Sequence, residues 1–245
     1  MTDLIAGRNP TLEALRAGRA ISRIMIAKDA DQRGPLAEIA SLARLHGIPL
    51  EYAEKSALDR IGGPGNHQAV LAFAARREYV ELEDALKIPA QREQPAFLAL
   101  LDGVEDPHNL GAILRTAEAT GVHAVIVREK RAVGLTAGVE KASAGALEYL
   151  AISCVVNLTQ TIRLLKDRNI WVVGVDQAGP AGYTSIDYKP DTALVIGGEG
   201  KGLTDLVKKN CDFVVSIPML GKINSLNASV AAAVVFYEVV RQRSA

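Results

Sequence analysis

Three short stretches of this chain gather polar side chains of the kinds that bind ligands or move protons. The first is Asp106-Pro107-His108-Asn109-Leu110-Gly111, with Arg115 following it. Asp106-Pro107 is a turn signal, and Asn109 is a residue type that caps helices. Arg115 comes about one and a half helical turns later. It suits a surface ion pair; beside polar loop residues it also suits an oxyanion or a phosphate, because its guanidinium is a planar fork. The second stretch is Gly197-Gly198-Glu199-Gly200-Lys201-Gly202. It fails both the dinucleotide pattern and the P-loop pattern. A tight strand-to-helix connection explains the glycines, but not Glu199, a carboxylate that repels phosphate and suits a hydroxyl or a cation. The third is Ile217-Pro218-Met219-Leu220-Gly221, then Ser225-Leu226-Asn227-Ala228-Ser229-Val230. Ser225 and Asn227 fit as caps of the helix that follows. Capping alone does not require Met219, Gly221 and two polar residues around Leu226. The alternative is a ligand held at the open amides of a helix N-terminus.

Such stretches act together only if strands end beside one another. Phe97 to Leu101 is a continuous apolar run, as expected of a strand buried on both faces. Val122 to Val127, Ile170 to Val175, Thr192 to Ile196 and Phe213 to Ile217 read the same way. Leu110 to Thr120 reads as a helix stopped by Gly121, and Leu158 to Lys166, Leu203 to Lys208 and Ala228 to Arg241 as further helices. Alternating strands and helices predict an α/β fold with a mostly parallel sheet. Its ligands bind beyond the carboxyl ends of the strands.

Residues 1–75 form a smaller α/β pattern of their own. Asn9-Pro10 starts a helix, Ile21 to Ala27 is a strand, Pro35 to Leu45 an amphipathic helix and Ala69 to Ala74 a buried strand. Ser56 and Asp59 have capping-box spacing for a short helix. Residues 76–95 are charged, carry Pro89 and Pro95, and read as a linker with one helical turn around Leu82 to Leu86. The expected division is therefore 1–75, 76–95 and 96–245.

Formal net charge is zero over 245 residues, which argues against a broad cationic surface while leaving room for a local groove. Cys154 and Cys211 lie far apart, without zinc spacing, and the four histidines show no metal-ligand pattern. No metal is expected. No signal-like start and no membrane-length apolar run are seen, so a cytoplasmic protein without a membrane partner is expected.

As a set, the three stretches resemble the three motifs of the SpoU family of RNA ribose methyltransferases, in family order and spacing. The motifs run from Asp106 to Ala117, from Val195 to Leu203, and from Ile217 to Ala231. The pattern Ile5-x-Gly7-x-Asn9-Pro10 with Glu13-Ala14-Leu15-Arg16 resembles the ribosomal-protein-like substrate-binding domain of the branch that methylates guanosine 2'-hydroxyls in 23S rRNA. The resemblance implies a trefoil-knotted methyltransferase domain at 96–245, a homodimer formed through it, and S-adenosylmethionine as methyl donor. It implies cofactor binding by Gly197, Gly198, Ile217, Met219, Ser225 and Leu226, and a reaction centre of Asn109, Arg115, Glu199, Ser225 and Asn227. RNA is the implied partner, rRNA first and tRNA second. A non-catalytic RNA-binding or ribosome-assembly factor is the rival from another class. Arg8, Arg16 and Arg19 are candidate RNA contacts of the first domain.

Overall fold

The computed structural model describes residues 2–65, 67–129, 134–198 and 202–244. In chain order its elements are β1 (Thr2–Ala6), α1 (Arg8–Arg16), β2 (Ile21–Ala27), α2 (Pro35–Leu45), β3 (Leu50–Ala53), α3 (Lys55–Gly62), β4 (Val70–Ala75), α4 (Leu82–Gln91), β5 (Phe97–Asp102) and α5 (Pro107–Ala119). Then come β6 (Ala124–Arg128), α6 (Ala137–Ser143), β7 (Ala151–Val155), α7 (Leu158–Asp167), β8 (Trp171–Val175), β9 (Ala181–Gly182), β10 (Thr192–Gly197), α8 (Asp205–Asn210), β11 (Phe213–Ser216) and α9 (Ala228–Arg243). They sort into two units: Met1–Glu78 with Leu135–Tyr149, and Tyr79–Gly134 with Leu150–Ala245.

In the first unit a four-stranded sheet has the order β1-β4-β2-β3, with β4 antiparallel to both neighbours and β3 parallel to β2. Alternation along β2 sorts its side chains to two faces. Ile24 and Ile26 pack with Leu12 and Leu15 of α1 and Leu36 and Ile39 of α2. Met25 and Ala27 pack with Leu58 of α3. Helix α6, from the middle of the chain, packs on β1 of this unit. Ion pairs hold it there: Arg19, its side chain 9% exposed, meets Asp3 at 2.8 Å, Glu140 at 2.6 Å and Glu148 at 3.0 Å, and Arg77 also pairs with Glu148. Arg19 is thus committed inside the protein and is not an RNA contact. Arg16 is taken up by Glu13 and Glu38, and the Arg8 side chain donates to the Gln68 carbonyl.

The second unit is a seven-stranded sheet of order β7-β6-β5-β10-β8-β11-β9, parallel at every pairing. Every residue of β5 and β10 is buried, which explains their uninterrupted apolar sequences. Leu98, Leu100, Ala193 and Val195 face a cluster with Ala85 of α4, Leu158 and Ile162 of α7 and Val207 of α8. On the other face Phe97 meets Phe236 of α9 edge-on, and α5 packs on α9. Among the described residues no helix is long and apolar enough to cross a membrane.

The elements depart from the sequence reading at several points. Residues 82–91 form a full helix rather than one turn of a linker, because Leu82, Ala85, Leu86 and Pro89 make an i, i+3, i+4, i+7 stripe packed on the second unit. The Ser56–Asp59 pair is no capping box: Glu54 stands at the cap without a side-chain bond, and Asp59 takes His67 Nε2 at 3.0 Å. Asn109 does not cap α5; Asp106 does, accepting from the Asn109 amide at 2.8 Å. Strands β1, β3, β7 and β9 and helix α6 have no distinct apolar pattern in the sequence and emerge only in the structure. The segment 135–149, assigned by sequence to the second domain, lies with the first unit.

Candidate active site at the carboxyl ends of the parallel strands

Strands β8, β10 and β11 end side by side, and a cavity of about 460 Å³ opens beyond them. Its wall takes Val175, Asp176 and Gln177 from the end of β8 and Ile196, Gly197 and Gly198 from the end of β10. Ile217 and Met219 follow β11, and Asn224 to Ala228 with Ala231 bring in the start of α9. Glycine is required at the end of β10. A side chain at Gly197 would run into the main chain of Gly202, and one at Gly198 into the carbonyl of Gly103. The Gly198 amide instead donates to the Asp102 carbonyl at 2.9 Å.

Two buried carboxylates fix the return of this loop. Asp102 Oδ2 accepts from the Thr204 amide at 3.0 Å and from its hydroxyl at 2.9 Å. Asp176 Oδ2 accepts from the Leu203 amide at 3.0 Å and pairs with Lys208 at 3.0 Å, while Oδ1 accepts from the Ala178 amide at 3.0 Å. Burial pushes the Asp176 carboxyl upward, but the two amides and the Lys208 ammonium outweigh it and hold it below the usual carboxylate range. Neighbouring strands on either side of β10 therefore hold consecutive amides at the entrance to α8.

At the third loop both readings of Asn227 hold at once. Its Oδ1 accepts from the Ser229 amide at 2.9 Å and caps α9. Its Nδ2 donates to Asn109 Oδ1 at 2.9 Å, which ties α9 to α5 at the cavity edge. Because Asp106 does the capping of α5, the buried Asn109 side chain is left for this contact. All six expected cofactor residues, Gly197, Gly198, Ile217, Met219, Ser225 and Leu226, lie in the cavity wall, as does Asn227. Asn109 reaches it through Asn227. Arg115 does not line it: the side chain is exposed on α5 with no hydrogen bond or ion pair among the described residues. Glu199 lies outside the described residues. Sequence reasoning missed Asp176 and Gln177, although they follow a recognised buried strand and the strand-end rule applied to them equally. No three His, Cys, Asp or Glu side chains gather as a metal site among the described residues.

A parallel sheet with a cavity past its strand ends defines an α/β ligand-binding protein. More particularly, this chain belongs to the SpoU rRNA Methylase family, whose model matches residues 96–237. Residues 4–80 match a second model, described as RNA 2'-O ribose methyltransferase substrate binding. The protein YacO of Bacillus subtilis, assigned by name to TrmH family tRNA/rRNA methyltransferases, is 42% identical over 242 residues, covering 99% of this chain and 96% of its own. A Staphylococcus aureus protein of the same assignment is 42% identical over 240 residues, covering 98% and 96%. Among solved structures, the SpoU methyltransferase AviRb from Streptomyces viridochromogenes, in complex with AdoMet, superposes with a TM-score of 0.82 at 27% identity, covering 98% of this chain and 90% of that one. An AdoMet-bound rRNA methyltransferase from Sinorhizobium meliloti gives 0.81 at 25% identity, covering 98% and 87%.

Proposed function

We propose that this chain transfers a methyl group from S-adenosylmethionine to a ribose 2'-hydroxyl of RNA, with a guanosine of 23S rRNA as target. The observation that carries this reading is the cavity itself: the six residues expected to hold the donor form one wall. The residues present fit that ligand. The volume falls in the range of about 300–1,000 Å³ common to small-molecule sites. Val175, Ile196 and Leu226 offer apolar surface for a base, while Asn224 and Ser225 offer hydrogen bonds to its polar end. Two similar structures hold AdoMet, which supports the same assignment.

When bound, this cofactor supplies an activated methyl on a sulfonium. The rest falls to the chain: to orient the ribose, favour loss of its proton and keep the groups aligned. Asn227, held by Ser229 and Asn109, is a preset amide at the cavity edge. In this reading Arg115 serves as a charge stabiliser rather than as the base. Its guanidinium, without a partner among the described residues, grips an RNA phosphate and stabilises the developing 2'-oxyanion. In this reading Ser225 and Glu199 complete the reaction centre.

The match of residues 4–80 to a substrate-binding family supports RNA as partner, and this additional region favours the rRNA branch over tRNA. Exposed Leu220, Ile223, Val230 and Tyr237, on the third loop and on α9, support a homodimer through the second unit. The family match over residues 96–237 supports the knotted threading. Action on rRNA supports a cytoplasmic location.

The test is methylation in vitro with labelled S-adenosylmethionine, on rRNA and tRNA from cells lacking the gene, read by mass spectrometry of the nucleosides. 2'-O-methylguanosine arising in 23S rRNA is the expected result. Label in tRNA alone moves the target; label on a base, or none, overturns the reading.

A further inference from the structure

Among the described residues of the cavity wall, Asp176 is the one with a charged side chain. That side chain is 2% exposed. Burying a carboxylate is expensive unless it is paired and hydrogen-bonded, and here the Ala178 amide, the Leu203 amide and Lys208 share the task. Together they fill three of its roughly four acceptor positions, leaving one on Oδ1 among the described residues. Lys208 binds the other oxygen and is itself 29% exposed, so part of its charge is screened by solvent. Among the described residues the rest of the wall is neutral, so this buried carboxylate is its one charged group.

Resting on the methyl-donor reading above, we infer that Asp176 makes the cavity selective for charge, favouring the cationic sulfonium donor over the neutral thioether left after transfer. Donor and product differ by one methyl group and one positive charge. Shape separates them weakly, since a single methyl contributes little in a pocket. A fixed carboxylate in a partly desolvated site acts on the charge instead. The consequence is easier release of S-adenosylhomocysteine and less inhibition by it.

A purely structural role is the competing account, because Asp176 also holds the Leu203 amide at the entrance to α8. The two accounts differ in what they do to the two ligands. Calorimetry on the full chain at pH 8 would measure Kd for S-adenosylmethionine and for S-adenosylhomocysteine, with circular dichroism to check folding. In Asp176→Asn the ratio of the two affinities should shift by about tenfold against the donor, the scale of one partly screened charge. In Lys208→Met, which keeps the carboxylate and removes its counter-charge, the ratio should move toward the donor. This second variant decides the matter if the first does not fold. Equal weakening of both ligands in both variants overturns the inference and leaves Asp176 as a loop support. If the native chain binds neither ligand, the methyl-donor reading fails and the inference with it; if it binds both and the variants leave the ratio unchanged, only the inference fails.

Discussion

Arg115 and Asn109 lie on the same helix but are placed for different work. Asn109 is buried and bonded to Asn227, whereas Arg115 is exposed and unpaired among the described residues. If the guanidinium acts on the phosphate and the oxyanion, Arg115→Ala should lose methyl transfer by at least ~10²-fold. Donor affinity should barely change, because Arg115 takes no part in the cavity wall. Arg115→Lys should rescue poorly, since a point charge lacks the fork. Single-turnover methylation and Tm on the same variants check this; a near-normal rate with a lowered Tm would end the catalytic role. The motifs made these residues legible because their types are unusual in turns. They did not reveal that Asp106 would take over the capping and so leave the Asn109 side chain to Asn227. Asp176 was illegible for a related reason: a lone Asp after a strand looks like any turn residue until its three partners are seen.

At the scale of elements, the sequence was read best where burial is uniform. Strands β5 and β10 are apolar from Phe97 to Leu101 and from Ala193 to Ile196 because both faces are covered, and α2 begins at Pro35 and ends at Leu45, as its periodicity predicts. Edge strand β3 has exposed and half-buried positions but no buried one, and edge strand β7 is buried at only two positions, so neither carries that signal. In α4 the charges of Glu83, Asp84 and Lys87 masked an apolar stripe that was present all along. The join between α5 and β6 carries a pH-sensitive contact. His123 Nδ1 accepts from the Phe97 amide at 3.1 Å, and Nε2 meets Gln94 Oε1 at 3.0 Å. Burial, reinforced by the charge of Arg92, lowers the pKa of the ring from its ordinary 6.5. The unfolded chain therefore takes up the proton first. The contribution is complete above about pH 6.5 and fades as pH falls from there toward the lowered folded value. Urea unfolding should find His123→Gln less stable than the native chain at pH 8, with the gap narrowing toward pH 5. A gap that stays constant would show that the ring takes up its proton at the same pH in the folded and unfolded chains.

The whole molecule was legible as two α/β parts but not in which segment belongs to which, because ion pairs between distant positions leave no periodic trace. Glu140 and Glu148 are buried against Arg19, and Tyr149 donates to Glu13 at 2.7 Å. Removing Arg19 alone should cost about 3–5 kcal/mol, the scale for orphaning buried charges. A truncation to 79–245 should likewise leave 135–149 without its partners and open to protease. Replacing 135–149 in that truncation by a flexible linker of equal length should restore a resistant protein. It should bind S-adenosylmethionine within about threefold of the full chain, since no cavity residue comes from the lost parts. RNA methylation should fall sharply. Full RNA activity in this isolated second unit would refute the division of labour between the units.

The split membership of the first unit also sets a schedule for protein synthesis. The strands of its sheet leave the ribosome early, yet two of the three acidic partners of Arg19, Glu140 and Glu148, are translated only after β5 and β6. The nascent first unit must wait with its arginine paired to Asp3 but not to either glutamate while the next sheet has already begun to emerge. Its closing step and the growth of the second sheet therefore overlap in time, so slow decoding between β6 and β7 would prolong the interval in which neither unit is complete.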